Sequence, residues 1–233
     1  DGVALDATTH SKASALKGYW RNDGVTTWKN RADNFASFDG VNDVITRNAI
    51  NVDYKSISLW VKPSTTFSAS STFKSVMFFQ TWGFGSMGFG NATSSFTGEL
   101  VTLNDFTGGA HKKTTWIPSG GETIPSDSWT HLAFVWDGSK YIIYYNGQPQ
   151  TVTGLDTGHQ PLNTNKDIRI GTGGASSTDF FDGDLTGVAF WNKSLTDAQI
   201  LSIYNNGRHS NLYTDFSDNL ITYLAFGNSD ATS

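Results

Sequence analysis

The stretch that decides the fold is Ser128-Trp129-Thr130-His131-Leu132-Ala133-Phe134-Val135-Trp136, then Asp137-Gly138-Ser139-Lys140, then Tyr141-Ile142-Ile143-Tyr144-Tyr145 and Asn146-Gly147. Trp129–Trp136 alternates with a period of two, the mark of a strand. Asp137-Gly138 supplies the residues a tight turn prefers, Tyr141–Tyr145 returns as a second strand, and Asn146-Gly147 is a second turn pair. The stretch is therefore an antiparallel hairpin.

The same period appears on either side of it. Ile57, Leu59 and Val61 alternate with Ser56, Ser58 and Trp60, which predicts a strand with one buried face, ended by Pro63. Ile168 and Ile170 flank Arg169 in a short strand, and Val188–Trp191 is another. One helix is predicted near residues 196–206. Thr196 and Gln199 have capping-box spacing, and Leu195 and Ile200 stand where a hydrophobic staple would join. Ile200, Ile203 and Tyr204 make its buried stripe, and Gly207 offers a left-handed cap. The class is all-β with one short helix. A weak echo links Leu16–Trp20 to Leu220–Leu224, either as neighbouring strands of one sheet or as the openings of two successive repeats.

Composition agrees with this class. The chain has 233 residues and no cysteine, and Glu99 and Glu122 are the only Glu among 21 acidic residues. Good helix formers are scarce, whereas Thr, Tyr, Phe and Trp suit a pleated surface. The length fits one domain, read as residues 15–228 after a small polar leader or linker at 1–14. Without cysteine there are no disulfides, thiolate nucleophiles or zinc–thiolate sites. A net charge of −5 and the lack of a Lys/Arg run argue against nucleic acid. Apolar runs such as Leu132–Trp136 are far short of the roughly 20 residues a membrane span needs. The chain begins at Asp1 without Met or a signal peptide, which reads as a processed product or a piece of something longer.

Three segments look like long loops: residues 73–91, around Trp82-Gly83-Phe84-Gly85; residues 104–124, with Gly108-Gly109, His111, Lys112, Lys113 and Trp116; and residues 172–184, ending in Phe180-Phe181-Asp182-Gly183-Asp184. Long aromatic-bearing loops in a compact domain point to binding.

Four blocks, in order, resemble the laminin-G-like jelly-roll modules of the concanavalin A-like superfamily. They are Phe38-Asp39-Gly40-Val41-Asn42-Asp43-Val44, Ile57-Ser58-Leu59-Trp60-Val61-Lys62-Pro63, the Trp129-Thr130-His131 hairpin, and Phe181-Asp182-Gly183-Asp184-Leu185 with Val188, Phe190, Trp191, Asn192 and Leu195. The resemblance spans roughly residues 15–207 and implies a two-sheet antiparallel jelly-roll sandwich. Related jelly rolls often hold a structural calcium near the opening block, which would place Asp39, Gly40 and Asp43 around it, with Asp184 substituting where the closing strand carries Thr186-Gly187 instead of an acid pair. The alternative is that Asp39 and Asp43 stabilise turns.

The superfamily hosts lectins, adhesion modules and glycosidases, so the residues must decide. Its laminarinase-type glycosidases carry an E-x-D-x-E run, which this chain lacks. Asp182 and Asp184 have the spacing of a pair, but in a glycine-flanked turn. The five histidines show no close-spaced metal pair, and His131 reads as structural. There is no G-x-S-x-G elbow or phosphate loop. Sugar binding needs an aromatic face beside polar groups. Trp82, Phe84, Trp116 and Phe180 are the candidates, whereas Trp60, Trp136 and Trp191 fill the core.

The expectation is a non-catalytic carbohydrate-binding or adhesion module of a larger surface protein. Its partners would be a glycan or cell-surface polysaccharide and neighbouring domains, with no nucleic acid and no membrane insertion. It would be extracellular or on a virion surface, since modules of this composition also occur in virion structural and fibre proteins. The alternatives are a purely structural decoration or spacer and a divergent glycoside hydrolase.

Overall fold

The computed structural model describes residues 35–48, 52–69, 71, 74–79, 86–89, 100–107, 110–152, 154–155, 158–163, 167–172, 180–208 and 210–225. The strands in chain order are β1 (Ala36–Asp39), β2 (Ile45–Arg47), β3 (Asp53–Tyr54), β4 (Ser56–Pro63), β5 (Lys74–Phe79), β6 (Ser86–Phe89), β7 (Val101–Thr107) and β8 (Ala110–Trp116). They continue as β9 (Thr130–Trp136), β10 (Tyr141–Tyr145), β11 (Gln148–Pro149), β12 (Gly154–Leu155), β13 (Leu162–Asn163), β14 (Ile168–Ile170), β15 (Asp182–Trp191) and β16 (Leu220–Leu224). The helices are α1 (Asp197–Asn205) and α2 (Leu212–Asp215).

Two antiparallel seven-stranded sheets form. The first runs β1-β15-β4-β9-β10-β11, with β16 also on β15; the second runs β12-β8-β7-β6-β5-β14-β2. The deciding hairpin forms as read. Asn146 and Gly147 close β10–β11 at φ 49° and 79°, the two positive values a type I′ turn requires. At the other end, Asp137 Oδ1 accepts from the amides of Ser139 and Lys140 and closes the β9–β10 connection.

Ile57, Leu59 and Val61 of β4, Leu132 and Phe134 of β9, and Leu185 of β15 pack with Val76, Met87, Leu103, Ile168 and Ile170 of the second sheet in one buried cluster. The one-faced prediction for β4 needs correcting, because Ser56, Ser58 and Trp60 are buried too. The reason is α1. Its Ile200 and Ile203, with Leu195, form a second cluster against Ala133, Val135, Ala189 and Trp191 on the outer face of the first sheet. The capping box of Thr196 and Gln199 is present, with Gln199 N–H donating to Thr196 Oγ1 at 3.2 Å and Thr196 N–H donating to Gln199 Oε1 at 2.9 Å. Gly207, at φ 74°, donates its N–H to the Tyr204 carbonyl, as its place after the helix predicts. A second helix, α2, opens on an Asn211 cap that the sequence did not single out.

The segments read as loops contain strands. Residues 73–91 contain β5 and β6, residues 104–124 contain most of β7 and all of β8, and residues 172–184 end inside β15. Glycine and small polar residues weaken a strand pattern, but pairing with neighbours on both sides overrides that local preference. Asp182 and Asp184 therefore lie on a strand and not in a turn. Of the echo, Leu220–Leu224 pairs with Val188–Trp191 of β15. Residues 16–20, like the leader assigned to 1–14, lie outside the described residues.

Candidate functional site

Among the described residues, helix α1 covers one part of the outer face of the first sheet, and a partly exposed strip of side chains stands at the end where β15 begins and β4 finishes. The register builds it. Ser37 of β1 faces Asp184 of β15, and Asp184 faces Lys62 of β4. Val61 pairs with Thr130, so Trp129 extends the Lys62 row one step beyond β9. Val61 points into the core, and the pleat therefore turns Lys62 outward. Gly183 lets β15 approach here, because a Cβ on it would come within 2.5 Å of Pro63 Cα and 2.6 Å of the Lys62 carbonyl.

Asp184 Oδ1 accepts from Ser37 Oγ at 2.8 Å, and its Oδ2 stands 3.1 Å from Lys62 Nζ. Lys62 Nζ also lies 5.6 Å from the Trp129 ring and 5.9 Å from the Phe35 ring, and those two rings are 5.9 Å apart. Arg208 arrives from the other direction. The Gly207 cap ends α1, and the Arg208 guanidinium carbon sits 5.0 Å from the Trp129 ring. The helix end is fixed by Tyr204, whose ring stacks on Trp60 at 5.7 Å and 16°. Phe35 is 37 % exposed and Trp129 is half-buried. Two cations, one carboxylate, a hydroxyl and two aromatic rings thus converge at the surface. Such a set can lay an apolar ring face against a pyranose while its polar atoms bond the hydroxyls.

The residues singled out from sequence do not converge in this way. Trp116 is a correction. It ends β8, is 3 % exposed, and packs in the core with its ring 5.0 Å from that of Tyr145. Phe180 is half-buried at a single bridge to Thr172. Trp82 and Phe84 lie between β5 and β6, outside the described residues. The assignments of Trp60, Trp136 and Trp191 to the interior agree with their burial.

Asp39 and Asp43 form a self-contained turn. Asp39 Oδ1 accepts from the amides of Val41 at 2.8 Å and Asn42 at 3.3 Å, and Asp43 Oδ2 accepts from the Asp39 amide at 2.9 Å. The Val41 amide, then that of Asn42, holds the Asp39 carboxyl below its ordinary value. Gly40 takes φ 75° in this turn and donates to the Phe181 carbonyl. Asp184 is engaged by Ser37 and Lys62. Calcium asks for six to eight oxygens around one point. These residues do not fit that demand, and among the described residues no group of three His, Cys, Asp or Glu side chains is arranged for a metal.

His131 is fully buried beneath α1, its Nε2 2.9 Å from Ser58 Oγ and its ring between Trp60 and Tyr204 at 5.1 and 6.0 Å. Burial pushes its pKa down to about 3, so it is neutral and structural near pH 7.

Lys62, Trp129 and Arg208 were missed by sequence reasoning, which took Lys62 and Trp129 only as parts of strand motifs. The available signal was parity. Both residues share the alternation phase of the Trp60 and His131 side chains, opposite to the core set, at strand ends where a short helix could not reach.

The Laminin_G_3 family, described as the concanavalin A-like lectin/glucanases superfamily, matches residues 17–201. No curated protein sequence matches the chain. Among solved structures, domain 4 of AbnA, a GH43 extracellular arabinanase from Geobacillus stearothermophilus in complex with arabinotriose, aligns with TM-score 0.52 at 18 % identity over 72 % of this chain and 75 % of that one. A putative carbohydrate binding protein from Bacteroides ovatus aligns with TM-score 0.54 at 18 % identity, covering 82 % of this chain and 50 % of that one. A SAP-like pentraxin from Limulus polyphemus aligns with TM-score 0.54 at 17 % identity over 85 % and 98 %. At these identities the likeness is one of fold.

Proposed function

Because this chain belongs to the concanavalin A-like lectin/glucanases superfamily, we infer that it is a non-catalytic carbohydrate-binding module, carried extracellularly by a larger protein, and that it holds a glycan on the Phe35–Trp129 strip. The observation that carries this is the convergence of Phe35, Trp129, Lys62, Arg208, Asp184 and Ser37 at one end of a sheet face. The fold neighbours include an arabinanase domain solved with arabinotriose and a protein titled as carbohydrate binding, which supports the ligand class. A glycosidase needs a second carboxyl group held in an environment that stores a proton. Asp182 is exposed and Asp184 faces the Lys62 ammonium, so neither stands in an apolar pocket of that kind. Among the described residues no helix is long and apolar enough to cross a membrane.

A glycan array with the wild type and Trp129→Ala tests the assignment. Binding that weakens at least tenfold in the variant is expected; an empty array, or binding indifferent to the change, removes the strip as the site. Reducing-sugar release from the bound polysaccharides would instead make the module a hydrolase. The burial of Trp116 favours a second reading, a structural spacer. On that reading the array stays empty with the wild type as well.

A further inference from the structure

We propose that the ligand is a saccharide chain held at two aromatic stations, the Phe35–Trp129 strip and Tyr213, and not a single terminal sugar; this rests on the strip being a glycan site. The strands around β15 set the two stations apart. One edge of β15 is taken by β4, from Gly183 to Trp191. Strands β1 and β16 therefore share the other edge, one after the other, with Ala36 opposite Leu185 and Tyr223 opposite Ala189. Leu185 and Ala189 are four residues apart, about 13 Å along an extended strand. Phe35 stands one residue before the first pairing, and Tyr213 rests on Tyr223 of the second.

Tyr213 is 59 % exposed, more than Phe35 in the strip itself. A single exposed hydrophobic side chain needs no explanation, but this one is also fixed. Its amide donates to Asn211 Oδ1 at 3.2 Å, and its hydroxyl donates to the Tyr223 carbonyl at 3.2 Å. Its ring meets that of Tyr223 edge to face at 5.3 Å. Tyr223 is held in turn, because its hydroxyl donates to the Ser210 carbonyl at 2.8 Å and its side chain packs against the cluster beneath α1. A ring that is both exposed and immobile can take the apolar face of a sugar with little entropy lost.

The backbone after α1 ties the two stations together. The Arg208 side chain lies against the Trp129 ring, and its carbonyl oxygen is 3.9 Å from where a Cβ on Gly187 would stand. Ser210 donates its N–H to the Gly207 carbonyl at 3.1 Å and accepts the Tyr223 hydroxyl. Short bonded steps thus fix the strip relative to Tyr213, at a spacing longer than one sugar ring covers. A terminal sugar would use one station and leave the other idle. A chain uses both, and its second contact forms without a second loss of translational freedom.

The test is isothermal titration of the whole chain with gluco-, xylo-, arabino-, manno- and galacto-oligosaccharide ladders, each running from one to six sugar residues. In the ladder that binds, affinity should climb by about five- to tenfold between the short and the long members, the worth of one further aromatic contact. Tyr213→Ala should flatten that ladder, so that the long members bind no better than the short ones. Tyr213→Leu, which keeps bulk against Tyr223 but has no flat ring, should flatten it too. Tyr213→Phe should keep most of the climb, and thermal melts check that each variant folds. Trp129→Ala should weaken every member. A ladder that is flat in the wild type, or equally steep after Tyr213→Ala and Tyr213→Leu, overturns the chain reading while the strip stands. Absence of binding to all five ladders overturns the glycan site and the chain reading together.

Discussion

Acidification should loosen this module through a single buried side chain, His131. In the folded chain its pKa is pushed down to about 3 by burial, against an ordinary value of 6.5. The unfolded chain therefore takes up the proton first. The neutral ring's contribution to stability is fully present above pH 6.5 and is lost as pH falls from there towards 3. Between pH 7 and pH 5 the unfolded state gains about 0.7 of a proton that the folded state does not, and the integrated effect amounts to about 2 kcal/mol. That figure hardly depends on the folded value so long as it stays below about 4, because the folded ring is unprotonated throughout the interval. The comparison is with His131→Gln, which keeps an amide beside Ser58 Oγ but cannot titrate. Urea denaturation followed by tryptophan fluorescence at pH 7, 6 and 5 gives both curves. The other four histidines are common to the two proteins and cancel in the difference. The variant should be the less stable at pH 7 and should close the gap by about 2 kcal/mol at pH 5. Parallel curves for the two proteins would refute the reasoning.

Other substitutions separate packing from binding. Trp116→Ala should cost about 3–5 kcal/mol in urea unfolding, the usual range for emptying a buried indole, because Trp116 is 3 % exposed and packs on Tyr145. Trp129→Ala, at the half-buried strip, should leave the melting temperature within a few degrees of wild type while weakening glycan binding. Thr196→Ala removes the acceptor that Gln199 N–H uses and should lower stability by about 1 kcal/mol, seen as a shifted urea midpoint with an unchanged slope. Gly183→Ala forces a Cβ against Pro63 and the Lys62 carbonyl. It should spread β15 from β4, and amide hydrogen exchange should quicken at Asp184 and Lys62.

The parts of the fold that the sequence made legible are those fixed by neighbours along the chain. The Asn146-Gly147 turn follows from two residues that tolerate positive φ. The α1 cap follows from one threonine and a glutamine three residues on. Strand boundaries inside residues 73–91 and 104–124 were not legible, because lateral partners far along the chain set them. Thr114 and Thr115, for example, pair with Leu155 and Gly154, and Phe79 pairs with Ile168. The burial of Trp116 came hidden in the same error, since a residue taken for a loop was a strand end facing the core. Likewise, Asp39 and Asp43 were metal ligands by the resemblance and turn formers by their setting, and the sequence left both readings open. The amides of Val41, Asn42 and Asp39 within hydrogen-bonding distance show the turn.

The placement of the candidate site follows from a mismatch of lengths. At 1.5 Å per residue, the nine residues of α1 reach about 14 Å, whereas the eight residues of β4 beneath it span about 26 Å. The helix therefore seals only part of the outer face. Ser58, Trp60 and His131 fall under it and are buried, which makes His131 acid-sensitive. Lys62, Asp184 and Trp129 fall beyond it and stay within reach of solvent. Arg208 can meet Trp129 because Gly207 ends the helix at that point. A helix one turn longer would reach further over the strip, so the same short helix that stabilises one part of the face leaves Lys62, Asp184 and Trp129 partly exposed.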